Sequence, residues 1–158
     1  MRKKVRPAGH AEPAAPSAEW LDLDQLAEVE LTSEDPDHPI DSALIPGTHP
    51  GGWRAAQAGE QTIRLLLTPA QDVSLISLEF NEADVERTQE FVLRWSPDPD
   101  GPGHEVVRQQ WNFSPGGATR QAEEFHVDLR GVAVLKLTIT PDISGGDAKA
   151  SLTRLQLS

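Results

Sequence analysis

Arg94, Arg108 and His126 stand out of phase with the apolar residues of the segments that carry them, and so do Gln110 and Asn112 on either side of Trp111. In a segment of period two, residues out of phase with the apolar set share the opposite face. Guanidinium forks, amides and an imidazole brought together on one concave face beside an aromatic ring would read hydroxyls or carboxylates, because Arg presents a planar array of donors. Arg87 borders a polar loop at 81–86 and would rim such a patch. The candidate ligand residues are therefore Arg87, Arg94, Arg108, Gln110, Trp111, Asn112 and His126. A plainer role is open to the same arginines: Arg94 and Arg108 pair with Glu90, or with acids on neighbouring strands, across a solvated face.

Other chemistry finds little support. The five histidines at 10, 38, 49, 104 and 126 include no pair at the i, i+2 or i, i+4 spacing of a local metal clip. His38 with Asp35 and Asp37 reads as a solvated turn. The chain holds no Cys, so it has neither a thiolate site nor a disulfide framework. Neither a G-x-S-x-G elbow nor a phosphate-cradling glycine loop is present. Residues 144–147 (SGGD) lack the Lys and the following helix that such a loop needs. Acid pairs such as Asp98/Asp100 and Glu123/Glu124 are expected in so acidic a chain and do not indicate glycoside hydrolysis. No catalytic residue, cofactor or metal is expected, and the chain is read as a non-enzyme.

The elements that must position the candidates are strands. Residues 27–31, 62–67, 89–95, 106–113 and 125–129 alternate apolar and polar side chains. Residues 73–80 read as a strand with two partly apolar faces, and 132–139 and 152–157 complete about eight strands. Breakers separate them: PDPDGPG at 97–103, SPGG at 114–117 and SGGD at 144–147. Residues 39–44 (PIDSAL) predict one helical turn with Pro near its start. This pattern predicts an all-β fold, an antiparallel two-sheet jelly-roll sandwich.

The 158 residues suit one domain, and their net charge is −11. Residues 1–19 carry four of the 14 basic and two of the 25 acidic groups, among Pro and Ala. That segment is read as a disordered basic tail. It leaves a domain at 20–158 with ten basic against 23 acidic groups, a net −13. Such a charge opposes the phosphate backbone, so nucleic acid is not the expected partner. It suits a basic protein surface instead. No run of about 20 apolar residues offers a membrane span, and the basic start lacks the apolar stretch of a secretion signal. A cytoplasmic location is the expectation.

The most distinctive stretch runs from the strand at 27–31 through Thr32-Ser33-Glu34-Asp35 and a short turn at Ala43-Leu44. It continues through Trp53-Arg54-Ala55-Ala56 and Ala58-Gly59-Glu60 into the strand at 61–67. This order resembles the opening of the discoidin-like (coagulation factor 5/8 C-type, galactose-binding-like) β-sandwich. Residues 89–101, with Ser96, Asp98, Asp100 and Gly101, resemble that family's strand followed by a Ser-x-Asp-Gly turn. The segment GWRAAQAGEQTI at 52–63 resembles most closely the N-terminal domains of eukaryotic single-strand-break repair scaffolds, non-enzymatic sandwiches that bind a DNA polymerase and for which gapped DNA has been proposed as a ligand. The resemblance gives Trp53, Arg54 and Glu60 structural roles, with Arg54 pairing an acid such as Glu60. It implies a non-catalytic module whose partner is a protein, as in an assembly adaptor, or alternatively a glycan. The family's structural calcium site is not expected, because the loop at 44–52 (LIPGTHPGG) has no carboxylate. Sugar-binding relatives stack a pyranose on an exposed aromatic. Here Trp95 and Trp111 share strand faces with other apolar residues, which points to packing.

Overall fold

The computed structural model describes residues 20–48 and 51–158. The tail at 1–19 and His49 lie outside the described residues. Two single-turn helices, α1 (Leu23–Leu26) and α2 (Asp41–Leu44), accompany eight strands: β1 (Ala27–Leu31), β2 (Trp53–Ala58), β3 (Gln61–Asn81), β4 (Arg87–Ser96), β5 (His104–Phe113), β6 (Arg120–Thr140), β7 (Lys149–Leu152) and β8 (Arg154–Leu157). The helical turn expected at 39–44 is α2. The segments read separately at 62–67 and 73–80 are one strand, β3, and those at 125–129 and 132–139 are one strand, β6. The segment at 152–157 is interrupted, and its residues divide between β7 and β8.

β3 and β6 pair antiparallel along their whole length, from Gln61↔Ile139 to Asn81↔Arg120. Register shifts between Leu66 and Leu75 bend this ribbon. Its near half joins β1, β4 and β5 in the order β1-β3-β6-β4-β5. Its far half takes β8, which pairs Ile76 to Glu79. The bend lays one half over the other, so two layers face each other across the core. Phe91 of β4 meets Phe80 and Phe125 of the far layer at ring centroid distances of 5.3 and 6.3 Å. Ile63, Leu65, Leu93, Leu135, Leu137 and Ile139 complete the interior from the near layer, and Ile76 and Leu78 from the far one.

The two-stranded ribbon β2–β7 closes the remaining side, with Trp53 opposite Leu152. Trp53 is fully buried, and its indole N–H donates to the carbonyl of Ser33 at 3.2 Å. Trp53 is thus a core residue whose donor is satisfied within the fold. Gly52 precedes it at φ +69°, where a Cβ would collide with the backbone of Leu152 and Thr153. The small residue therefore lets the entry loop lie directly on β7. Among the described residues no helix is long and apolar enough to cross a membrane.

Candidate functional site

The seven candidate ligand residues occupy three places. Arg108, Gln110 and Asn112 lie together on the outer face of β4–β5, where cross-strand partners meet them. Glu90 accepts from Arg108 at 3.0 Å and from Gln110 at 3.0 Å, and Thr88 donates to the Asn112 amide oxygen at 2.8 Å. Arg108 also donates to Glu105 at 3.1 Å, and Arg94 approaches Glu105 at 3.6 Å. The hydrogen bond from Gln110, aided by Arg108 and opposed by burial, holds the Glu90 carboxyl below its usual range. Glu105 and then Glu90 raise the already high pKa of Arg108. This face satisfies itself.

Arg87 and Trp111 point the other way, into the sandwich. Arg87 is only 2% exposed and lies over the Phe113 ring at 4.9 Å. Trp111 is half-buried against the core. His126 is exposed on the far layer, next in sequence to Phe125, whose ring points inward. Alternation therefore turns His126 to the outer surface of that layer, on the side of the sandwich opposite Arg108. No single patch unites the seven. Arg54 and Glu60 are both exposed and form no ion pair with each other. It is the backbone of Arg54 that holds the entry loop, accepting from Asp35 N–H at 2.9 Å and donating to His38 C=O at 3.1 Å.

The loops at one end of the sandwich enclose a different site. Arg87 anchors both of them from within. Its Nε donates to Glu82 at 2.9 Å and its Nη1 to the carbonyl of Pro141 at 2.8 Å. Glu82 in turn accepts from the N–H groups of Asp84 (3.1 Å) and Val85 (3.3 Å), which shapes the loop at 82–86. Burial pushes the Glu82 carboxyl up, but the Arg87 hydrogen bond and charge with those two amides outweigh it and leave its pKa lowered. In the facing loop, Asp142 accepts from Ser144 N–H at 3.0 Å, and Ile143 N–H donates to Thr88 C=O at 2.9 Å.

Between these loops opens a cleft of about 340 Å³, whose charged lining is Arg54, Glu82, Asp84, Asp142, Asp147 and Lys149. Val85 and Ile143, one on each loop, are the exposed large apolar side chains among the described residues, at 48% and 49%. Among the described residues no carboxylate or histidine cluster is grouped to hold a metal ion. The arrangement presents acceptors and donors side by side, next to the apolar side chain of Val85, while Ile143 lines an adjoining hollow. Of these residues the sequence pointed only to the loop at 81–86 as a rim. The SGGD turn registered as a chain breaker, although the acids within and before it face the cleft.

A two-layer antiparallel sandwich with this order of strands is the galactose-binding-like, discoidin-like fold. The solved structures that share it include the family 32 carbohydrate-binding module of Clostridium perfringens NanJ in complex with galactose, with a TM-score of 0.62, 18% identity, and 87% of this chain and 96% of that one covered. A further module, CBM32-3 of a family 31 glycoside hydrolase from Clostridium perfringens, gives a TM-score of 0.67 and 19% identity over 92% and 98%. Reduced XRCC1, in its structure bound to the DNA polymerase β catalytic domain, gives 0.58 and 18% over 84% and 95%. At these identities the likeness is one of fold. No family model and no curated protein matches the sequence.

Proposed function

We propose that this chain is a non-catalytic recognition module that takes a hydroxyl-rich ligand, a glycan, in the loop-end cleft. The observation that carries this reading is the composition of that cleft. Asp84, Asp142 and Asp147 supply acceptors, Arg54 and Lys149 supply donors, and Val85 lies beside them. A sugar hydroxyl both donates and accepts, so a wall carrying both functions satisfies it. The C–H face of a pyranose needs an apolar neighbour, and the exposed Val85 provides one. Solved neighbours of the fold bound to galactose and to GalNAc-β-1,3-galactose support the reading. Because the cleft lining contains no aromatic platform, binding is expected to be weak. Titration with galactose, N-acetylgalactosamine and galacturonate, followed by amide shifts, tests it. Saturable shifts at Val85, Asp142 and Gly145 that Asp142→Asn removes are expected. Absence of shifts with all three sugars at millimolar concentration overturns it.

A second reading, a protein-interaction or assembly adaptor, has its own support. The net −13 of residues 20–158 would steer a basic partner, and the XRCC1 structure pairs this fold with a polymerase domain. Stoichiometric capture of a partner that is lost at high salt, together with a blank sugar titration, would favour it.

A further inference from the structure

Strand pairing creates a row of charge that no local stretch of sequence contains. Across β1-β3-β6-β4-β5 the register places Glu30 opposite Arg64, Arg64 opposite Lys136, Lys136 opposite Arg94, and Arg94 opposite Glu105. Three cations are thus direct lateral neighbours on the outer face of the near layer. Residues so placed have Cβ atoms roughly 5 Å apart, and like charges there repel. Arginines elsewhere on the sheet are matched more closely: Arg108 with Glu90, Arg120 and Arg154 with Glu79, and Arg130 with Asp128, whereas Arg54 of the β2–β7 ribbon has no ion pair with a described residue. Within the row only Arg64 has a close acid, Glu30 at 2.7 Å. Arg94 reaches Glu105 at 3.6 Å, and Glu105 is already shared with Arg108. Lys136 is exposed and forms no ion pair with a described residue.

The surface beside this row is hollowed. The loop after β4 folds back over Ser96 and Val134, both nearly fully buried. It leaves a cavity of about 130 Å³ rimmed by Arg64, Arg94 and Lys136. The loop is braced from inside: Ser96 Oγ donates to Asp98 C=O at 2.6 Å and accepts from Asp98 N–H at 3.0 Å. It also bonds the Arg64 guanidinium and packs on the stem of Arg94. Pro99 C=O accepts from Arg64 at 2.6 Å, and the stem of Arg94 lies so close to Gly103 that a Cβ there would sit 3.2 Å from it. Arg64 and the stem of Arg94 are therefore positioned before any ligand arrives, which lowers the cost of binding.

We propose that this hollow is an oxyanion site that takes the phosphate group of a phosphate monoester or free phosphate. Two cations, Arg94 and Lys136, lack a closely matched acid, and a phosphate monoester carries about two negative charges. A water molecule takes roughly 30 Å³, so the cavity has room for a tetrahedral group several times that size. The site lies at the opposite end of β4 from the loop-end cleft. The ten residues of Arg87–Ser96 separate the two by roughly 30 Å, so the result is independent of the glycan reading.

The test is a titration of the full chain with inorganic phosphate at ionic strength held constant with chloride, followed by amide shifts and melting temperature. Glucose 6-phosphate forms a second arm, with glucose as its neutral control. Saturable shifts confined to Arg94, Ser96, Gly101 and Lys136 are expected, with phosphate raising the melting temperature. Lys136→Gln, an exposed substitution, should weaken binding roughly tenfold or more and abolish the thermal gain, whereas Arg130→Gln should change neither. Saturation by the sugar phosphate alone would assign the site to an ester, and saturation by both to the phosphate group itself. Shifts that spread to Arg108, Arg120 and Arg130, that acetate reproduces at the same concentration, or that survive Lys136→Gln would overturn the proposal.

Discussion

Strand β4 holds an arginine near each end, and the two meet opposite circumstances. Arg87 at its start is buried, paired with Glu82, bonded to Pro141 and covered by Phe113. Arg94 near its end lies on the surface beside Lys136, itself beside Arg64. The difference follows from solvent. A buried charge without a partner costs several kcal/mol, so the interior of the loop end is built around an ion pair. On the surface, water screens repulsion, and adjacent cations cost only a fraction of that. Burial compels pairing, whereas exposure leaves charge free for recognition. The acids of the loop-end cleft, Asp84, Asp142 and Asp147, depend on the buried pair for their positions, because Arg87 ties together the two loops that carry them.

The sharpest way to break this contrast is Arg87→Ala. It strands Glu82 and releases Pro141, and an expected loss of about 3–5 kcal/mol would be read by urea denaturation. A loss below about 1 kcal/mol would mean that the loop end is held by something else. A second test uses acid. The folded pKa of Glu82 lies below its ordinary 4.5, so its contribution is fully present above that value and lost as pH falls through the lowered one. The stability advantage of wild type over Glu82→Gln should accordingly be constant near neutrality and shrink below about pH 4. An advantage unchanged in acid would remove the pair from the argument. The smallest expected effect has the opposite sign. Lys136→Glu puts an acid between two arginines and should raise stability by about 0.2–1 kcal/mol, measured by thermal melting. A destabilised variant would mean that the row is not repulsive.

β1, β4 and β5 were legible because each carries its own alternation, whereas β2 (Trp53–Ala58), whose burial alternates only over its first residues, was not read as a strand. β1 follows Ala27 to Leu31 residue for residue, and β4 and β5 differ only at their ends. β3 and β6 were read as two strands each because Pro69 and Gly131 interrupt the pattern. Locally, a bend within a strand and a turn between strands use the same residues. The Trp53 motif was legible because Gly52, Trp53 and the strand after it must lie together in sequence to make the entry corner. The site was harder to see. Alternation correctly set Arg108, Gln110 and Asn112 on one face, but it carries no information about which layer a face belongs to. His126 therefore joined a patch from which a whole sandwich separates it. Arg87 and Trp111 fell on the inward side, where Arg87 serves as an anchor. The row Arg64–Lys136–Arg94 left no trace in sequence, because only the pairing of β3 and β4 with β6 aligns three residues so distant along the chain.

The bent ribbon of β3 and β6 has a mechanical consequence. Both layers are threaded by the same two covalent strands, so neither layer can peel away without drawing the other with it. Loops and the short ribbon β2–β7 can open alone, but the central amides of β3 and β6 cannot. Their hydrogen exchange should proceed only through global unfolding, and the same unit should refold slowly for its size, since its pairings join residues from 39 positions apart (Asn81 with Arg120) to 78 apart (Gln61 with Ile139). Both ends of β4, one built on a buried ion pair and the other on exposed cations, are thereby mounted on a single rigid frame.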